Sequence, residues 1–230
     1  MGFSRGPKIV TNGLVSLLDS RLSISSTEVR DPISGGIMTL YNGASIGSAA
    51  GDGILFDGSN DYGQSDTTLH DAYNFGTGDF TVDLWMKQHV VQNSWRGIVV
   101  NGSSGANGYA LLKYGDSGTK LDTAIDAPDN THFSNSNSDY SSYIDKWVSV
   151  STTWDRSGNV SIYYNGNFVT SNNISGQNSS VDNSGLLYLA SWQGGSWFWD
   201  GQMDCIRAYN RVLSPSEVLQ NYNAQKTRFI

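Results

Sequence analysis

The stretch KWVSVSTTWDRSGNVSIYYNGNFV, residues 146–169, decides how the fold of this chain is interpreted. Apolar and polar residues alternate in two runs, 148–154 and 160–164, as they do in strands with one buried face. The loop DRSGN separates the two runs, and Asn165 and Gly166 follow the second. Asparagine and glycine both tolerate the positive φ of a tight hairpin turn. The stretch therefore predicts three consecutive antiparallel strands.

Comparable short runs with turn residues between them recur on both sides of this stretch, and only 215–222 has the pattern of a helix. That helix begins with a capping box, formed by Ser214 and Glu217, with Pro215 at its first position. The sequence predicts an all-β, two-sheet antiparallel jelly-roll sandwich with a short C-terminal helix. The predicted strands lie near 14–19, 37–41, 54–56, 80–87, 97–100, 109–114, 121–125, 147–154, 160–164, 168–170, 186–190 and 197–209.

Composition limits the partners that the chain can have. Charged residues make up 15% of the sequence and the net charge is −7, with no cluster of lysine and arginine. The positive surface that follows nucleic-acid phosphates or an anionic membrane is therefore not predicted. Asn12, Gly13 and Ser16 interrupt the only apolar run near the start, so neither a signal peptide nor a membrane-spanning helix is predicted there. The chain is expected to be made in the cytosol.

Four segments in a fixed order carry a family resemblance. They are GILFDGSNDY at 53–62, GDFTVDLWMK at 78–87, the stretch 146–169, and FWDGQMDCIRAYNRVLSPSEV at 198–218. Together they resemble the laminin-G/pentraxin jelly-roll domains of the concanavalin A-like lectin/glucanase superfamily. The resemblance covers residues 9–224 and implies two sheets packed face to face, with ligands bound on the concave face or at the rim loops.

The two chain ends fall outside this pattern. Residues 1–8 are predicted to be an N-terminal arm and 225–230 a C-terminal tail. The ending NYNAQKTRF resembles the virion proteins of tailed bacteriophages.

Glycoside hydrolysis is the reaction that the resemblance suggests, and it requires two carboxylates on either side of the scissile bond. The chain has only two glutamates, Glu28 in a predicted loop and Glu217 in the capping box. Asp83 lies in the middle of a predicted strand, and alternation places it on one face with Trp85. A single aspartate cannot serve as both acid and nucleophile. The chain is predicted not to be an enzyme, and a divergent glycosidase using Asp83 with a loop aspartate is a minor alternative.

Tryptophan side chains are candidate sugar contacts, because their rings stack on the apolar faces of sugars. Trp192 and Trp197 flank a Gly-Gly turn, and Trp85 shares its face with Asp83. The candidate glycan-binding residues are Asp83, Trp85, Trp192 and Trp197. Packing within the fold is the alternative role for each tryptophan.

One structural calcium ion is a further prediction, because aspartate oxygens suit this hard cation and many relatives hold one. The resemblance places Asp204 at an acidic position that relatives often carry on the last long strand. Asp57 and Asp61 could add ligands from a loop. Relatives often have a second acidic residue after this position, whereas this chain has Cys205.

These observations favour a non-catalytic jelly-roll module that binds a surface. The leading prediction is a structural or decoration protein of a phage virion with glycan affinity, either homo-oligomeric or bound to a lattice of virion proteins. The alternative is an extracellular lectin or adhesion module whose partner is a cell-surface glycan.

Overall fold

Two antiparallel β-sheets form the body of the molecule in the computed structural model, which describes residues 7–48, 52–102, 107–113, 115, 119–126, 131–133 and 138–230. Within these residues the strands are β1 Leu14–Leu18, β2 Ser23–Ser25, β3 Glu28–Arg30, β4 Ile37–Tyr41, β5 Ser45–Ile46, β6 Ile54–Asp57, β7 Tyr62–Ser65, β8 Phe80–Gln88, β9 Arg96–Gly102, β10 Gly108–Lys113, β11 Leu121–Asp126, β12 Thr131–Phe133, β13 Val148–Trp154, β14 Asn159–Tyr164, β15 Asn167–Asn173, β16 Leu187–Leu189 and β17 Asp200–Tyr209. The α-helices are α1 Thr67–Asp71 and α2 Pro215–Phe229, and short 3-10 helices cover Ser20–Leu22 and Ser141–Tyr143.

The strand order confirms the predicted jelly-roll sandwich. The first sheet runs β15-β14-β13-β8-β17-β6-β5, and β1 also pairs with β17. The second sheet runs β12-β11-β10-β9-β16-β7-β4-β3-β2. The meander predicted over 146–169 is present as β13, β14 and β15. Its tight turn has φ values of 50° at Asn165 and 80° at Gly166, which agrees with the predicted turn.

The core lies between the two sheets, on the inner side of each alternating strand. From β8 it takes Phe80, Val82, Leu84 and Met86, which are all buried and alternate with Asp83 and Trp85. The ring of Phe80 stacks on that of Trp154, with centroids 5.1 Å apart. Each such side chain contributes about 1.5–3 kcal/mol when it is removed from water. This core needs no disulfide bond, and Cys205 is a free buried cysteine.

Strand β17 contains a bulge that changes which residues face the core. Asp204 pairs with Trp85 and Arg207 with Asp83, so β17 has one more residue than β8 over this span. The extra residue is accommodated at Cys205, whose φ is 49°. Met203 faces the core, whereas strict alternation predicts that it shares a face with Cys205 and Arg207. The bulge corrects that prediction, because one inserted residue reverses the alternation beyond it.

Helix α2 packs on the outer face of the first sheet. The predicted capping box is present, with Ser214 accepting from the backbone of Glu217 and Glu217 accepting from the backbone of Ser214. The helix extends well past its predicted end, to Phe229, whose ring stacks on buried Trp85 with centroids 4.5 Å apart. Residues 225–229 therefore continue α2, and the division of the chain into an arm, a domain over 9–224 and a tail stays a prediction.

The predicted N-terminal arm, 1–8, is described only from residue 7. At its end the backbone carbonyl of Lys8 accepts a hydrogen bond from Gln220 of α2.

Candidate functional site

The outer face of the second sheet carries a small apolar patch that is covered by aromatic rings. Four side chains from β9, β10 and β11 form the patch: Val100, Ala110, Leu112 and Ala124. Four partly buried side chains pack against it: Trp95, Tyr188, Trp192 and Trp197. Because the inward residues of the same strands fill the core, alternation leaves this patch on the side away from it. The four apolar side chains are themselves buried, and the rings that cover them are only partly buried, so these rings are the candidate binding surface.

The three tryptophans are held close together in space. The rings of Trp192 and Trp197 lie 4.8 Å apart between centroids with 51° between their planes, and Trp95 stacks on Trp197 at 5.8 Å and 24°. A tight loop presents two of them, in which Gln193 and Trp197 have φ values of 56° and 52°. The carbonyl of Trp197 accepts from the backbone of Gly97 at 2.9 Å, which fixes the loop to β9.

Three tyrosines lie beside the tryptophans on the same face. Tyr41 stacks on Tyr62 with ring centroids 5.0 Å apart, and Tyr62 lies 6.4 Å from Tyr188. Gly194, in the tryptophan loop, approaches Tyr62 so closely that an added Cβ would lie 3.0 Å from its ring. These six rings are called the aromatic face: Tyr41, Tyr62, Trp95, Tyr188, Trp192 and Trp197. Such rings are amphipathic platforms on which the apolar side of a sugar can stack.

Two of the four predicted glycan contacts, Trp192 and Trp197, lie in the aromatic face. Sequence reasoning missed Trp95 and Tyr188, which come from distant parts of the chain and meet only through sheet pairing. Tyr188 pairs with both Gln64 and Val100, so β16 links β7 to β9. No local spacing signal connects Trp95 with the loop that carries Trp197.

The other two predicted glycan contacts, Asp83 and Trp85, have no solvent-exposed surface. The Asp83 carboxylate lies 3.0 Å from Arg207, and it accepts from Asn221 of α2 at 2.9 Å and from Ser151 at 3.1 Å. Alternation correctly places Asp83 and Trp85 on one outward face, but α2 covers that face. The structure therefore corrects their assignment to glycan binding and gives both a role in holding the helix.

The predicted metal ligand Asp204 lies in a different cluster from Asp57 and Asp61. One oxygen each from Asp19 and Asp204 and the sulfur of Cys205 lie within 4.8 Å of one another. The guanidinium of Arg228 already joins the three groups: it donates to Asp204, to both oxygens of Asp19 at 3.0 Å, and to Cys205 at 3.1 Å.

This donor set does not fit calcium. Calcium takes about six to eight oxygen ligands, whereas this cluster includes a thiol and already has a cation of the chain's own. Burial raises the pKa of Asp19, but hydrogen bonds from Arg21 and the charges of Arg228 and Arg21 outweigh it and lower the pKa to about 2. The structure thus corrects the assignment of Asp204, whose carboxylate anchors α2.

Asp57 and Asp61 line a rim cavity of about 450 Å³, together with Gly43, Leu55, Phe56, His89 and Asp200. His89 and Asp200 were not predicted, and their side chains lie 2.9 Å apart. Asp61 is buried and accepts from the backbone of Asp57 at 3.0 Å, and burial followed by the charge of Asp57 raises its pKa. Because Tyr62 follows Asp61, the rim cavity adjoins the aromatic face along the chain.

Comparison of the sequence with known protein families identifies the superfamily of this chain. Residues 57–219 match the model of the concanavalin A-like lectin/glucanases superfamily, and the chain belongs to this family. No curated protein sequence matches it significantly.

Solved structures with the same fold include two binding domains of toxins. The receptor-binding domain of botulinum neurotoxin D superposes with a TM-score of 0.74 at 14% identity, covering 93% of this chain and 53% of that one. The binding domain of Paraclostridial Mosquitocidal Protein 1 gives 0.70 at 18% identity, covering 92% and 52%. A Trypanosoma rangeli sialidase gives 0.65 at 17% identity, covering 96% and 34%. This chain thus spans about half the length of the two toxin domains and about a third of the length of the sialidase.

Among the described residues, no helix is long and apolar enough to cross a membrane.

Proposed function

We propose that the chain is a non-catalytic recognition module that binds carbohydrate at the aromatic face. The observation that carries this proposal is the group of three tryptophan rings, partly exposed and fixed over an apolar sheet face. A loop with left-handed residues presents two of these rings and is tied to β9 through Trp197. Rings held in place before a ligand arrives lose little freedom on binding, which favours affinity.

The similar toxin structures support a binding role in general terms, since they are described as binding and receptor-binding domains. Fold likeness at such low identity does not define a ligand, so the proposal rests on the site itself. The sialidase likeness leaves hydrolysis as the alternative. That alternative is less favoured, because Asp83, the acid predicted for it, is buried against Arg207 and cannot reach a substrate.

A glycan array with the parent chain and two variants, Trp192→Ala and Trp197→Ala, tests the proposal. We expect the parent to bind a defined set of glycans. Each variant should bind the same glycans at least about ten-fold more weakly. Phe168→Ala is the matched control, because Phe168 is an aromatic side chain that is 58% exposed on β15 of the other sheet. Equal binding by all four proteins, or none by the parent, would contradict the proposal.

A calcium ion stays a prediction, now limited to the rim cavity with Asp57, Asp61 and the added Asp200. Repeating the array and a thermal melt with EDTA tests it. If calcium is bound there, EDTA should lower the melting temperature of the parent and leave an Asp200→Asn variant unchanged. Identical melts of the parent with EDTA and with added calcium would contradict it.

The role of a phage virion structural or decoration protein also stays a prediction, as does its localisation in the virion or, in the alternative, outside the cell. Purified particles test it. A virion protein should accompany them at a fixed copy number, with contacts to neighbouring copies or other virion proteins. Recovery of the chain in soluble fractions only would contradict the virion role and favour the extracellular lectin or adhesion module.

A further inference from the structure

The aromatic face crosses the second sheet from strand to strand. The tyrosines lie on β4, β7 and β16, and the tryptophans cover the apolar patch that begins on β9 and β10. These five strands are neighbours in the sheet, in the order β4, β7, β16, β9 and β10. Neighbouring strands lie about 4.8 Å apart, so five of them span about 19 Å. This width is several times that of one sugar ring.

The loop at 191–197, which carries two of the tryptophans, joins them to the tyrosines. On one side of the loop, Gly194 lies so close to Tyr62 that an added Cβ would be 3.0 Å from its ring. On the other side, the loop lies directly on β9, where a Cβ added to Gly97 would be 2.3 Å from the carbonyl oxygen of Ser191. The tryptophans and the tyrosines therefore form one continuous surface.

Two polar side chains lie beside the tyrosine rings. Gln64 pairs with Thr39 on one side and with Tyr188 on the other. Alternation places Thr39 on the face of Tyr41 and Gln64 on the face of Tyr62, and both polar side chains are partly exposed. Neither side chain has a hydrogen bond to another residue that the structure describes. A hydroxyl and an amide both donate and accept, as the hydroxyl groups of a sugar require.

The five strands present no charged side chain on this face, and the structure describes all of their residues. Their only charged residues, Arg96 and Lys113, pair with each other at the strand ends. Alternation from the outward Leu112 places both on the opposite side of the sheet. Lys113 is fully buried and donates to the carbonyls of Ser94 and Gly115 at 2.9 and 2.6 Å. An acidic ligand would therefore meet no cation here, in a chain whose net charge is −7.

We propose that the aromatic face binds a neutral glycan chain that lies across the strands, with sugars on both the tryptophans and the tyrosines. The hydroxyl groups of the chain form hydrogen bonds with Thr39 and Gln64. This inference rests on the carbohydrate binding proposed above, and it adds the length and the charge of the ligand. A single sugar would reach only one end of the face. An acidic glycan would lose water from a charge for which the face has no partner.

Isothermal titration calorimetry on the full chain tests the proposal. The probes are unbranched oligomers of glucose, mannose, galactose, xylose and N-acetylglucosamine, each from the monosaccharide to the hexasaccharide, and the acidic tetramer of galacturonic acid. In at least one neutral series, we expect the tetrasaccharide to bind at least about ten-fold more tightly than the monosaccharide. The acidic tetramer should bind more weakly than the neutral tetramers of that series. Raising the salt concentration should leave neutral binding unchanged, because screening acts on charges.

Variants locate the two ends of the chain. Tyr41→Ala should remove most of the gain in affinity with length and leave monosaccharide binding unchanged, because Tyr41 lies at the end of the face away from the tryptophans. Its side chain is 39% exposed, so the melting temperature should stay close to that of the parent. Thr39→Val/Gln64→Met should weaken tetrasaccharide binding by about ten-fold. Phe168→Ala is the control, since Phe168 is an exposed ring of the other sheet.

Three results would overturn the proposal: equal affinity for the monosaccharide and the tetrasaccharide in every series that binds, tighter binding of the acidic tetramer than of any neutral one, or an undiminished gain with length in Tyr41→Ala. Each of these results still leaves carbohydrate binding in place. Silence in both calorimetry and the glycan array would instead contradict the proposed function itself, so the two failures are distinguishable.

Discussion

The outer faces of the two sheets follow the same alternation but have opposite characters. On the first sheet the face carries charged residues such as Asp83, Asp204 and Arg207, and all three are buried beneath α2. On the second sheet the face carries aromatic rings that remain partly exposed. Buried charges need partners, which α2 supplies through Asn221 and Arg228. The comparison shows that alternation identifies an outward face, whereas a distant segment decides whether that face meets solvent.

The largest expected effect comes from breaking the buried pair on the covered face. Asp83→Ala leaves Arg207 buried without its carboxylate, which should lower the free energy of unfolding by about 3–5 kcal/mol. Urea denaturation measures the loss. Asp71→Ala is the control, since Asp71 has a side chain that is 78% exposed, and a change within about 0.5 kcal/mol is expected there. Equal stability of Asp83→Ala and the parent would show that the pair does not hold this face together.

Removing the anchor at the end of α2 should have the next largest effect. Arg228→Met leaves Asp204 without a cation and Asp19 with Arg21 alone, and it should cost about 2–3 kcal/mol. Hydrogen exchange of residues 222–229 should quicken in this variant. Combining it with Asp204→Asn should restore part of the stability, because the charge left without a cation is removed. If the double variant loses more free energy of unfolding than the two single variants lose together, the assigned role of Arg228 is contradicted.

Loss of the helix cap is a smaller perturbation of the same face. Ser214→Ala removes the side chain that accepts from Glu217 and should cost about 0.5–2 kcal/mol. Glycan binding by the aromatic face should not change, which separates stability from recognition. Ser184→Ala, at an exposed loop position, is the control. A loss of glycan binding in Ser214→Ala would mean that the two faces are coupled.

The smallest expected effect is a dependence on pH near the start of α2. Hydrogen bonds from Arg211, followed by those from Ser214, lower the pKa of Glu217 from 4.5 to about 2 despite partial burial. A carboxylate with a lowered pKa stabilises the folded state above its ordinary pKa, and this contribution is lost as the pH falls towards the lowered value. Urea midpoints should therefore fall between about pH 5 and 2, and less so in Glu217→Gln.

The same window contains the titration of Asp19, whose pKa is also about 2. Asp204 acts in the opposite direction, because burial raises its pKa and favours its protonated form in the folded chain. Glu217→Gln therefore isolates one contribution from the other two. An identical pH profile for parent and variant would contradict the role of the Arg211–Glu217 pair.

The features that were predictable from the sequence depend on neighbouring residues. The turn at Asn165 and Gly166, the capping box at Ser214 and the face shared by Asp83 and Trp85 each follow from signals within a few positions. The cover over Asp83 was not predictable, because it depends on contacts with Asn221, 138 positions away. The bulge at Cys205 has no composition signal, and Trp95 joins Trp197 only through the pairing of several strands.

The loop that carries Trp197 shows how recognition and folding can make different demands on one residue. An L-residue in the left-handed region costs about 1–2 kcal/mol relative to a helical or extended backbone, and glycine or asparagine bears this cost more easily. For folding alone, Trp197 is a poor choice at a φ of 52°. A Trp197→Gly change would relieve the backbone and remove the ring, so local backbone strain and the proposed sugar affinity would fall together. At this position, selection for thermal stability would favour glycine, whereas selection for ligand affinity would favour tryptophan.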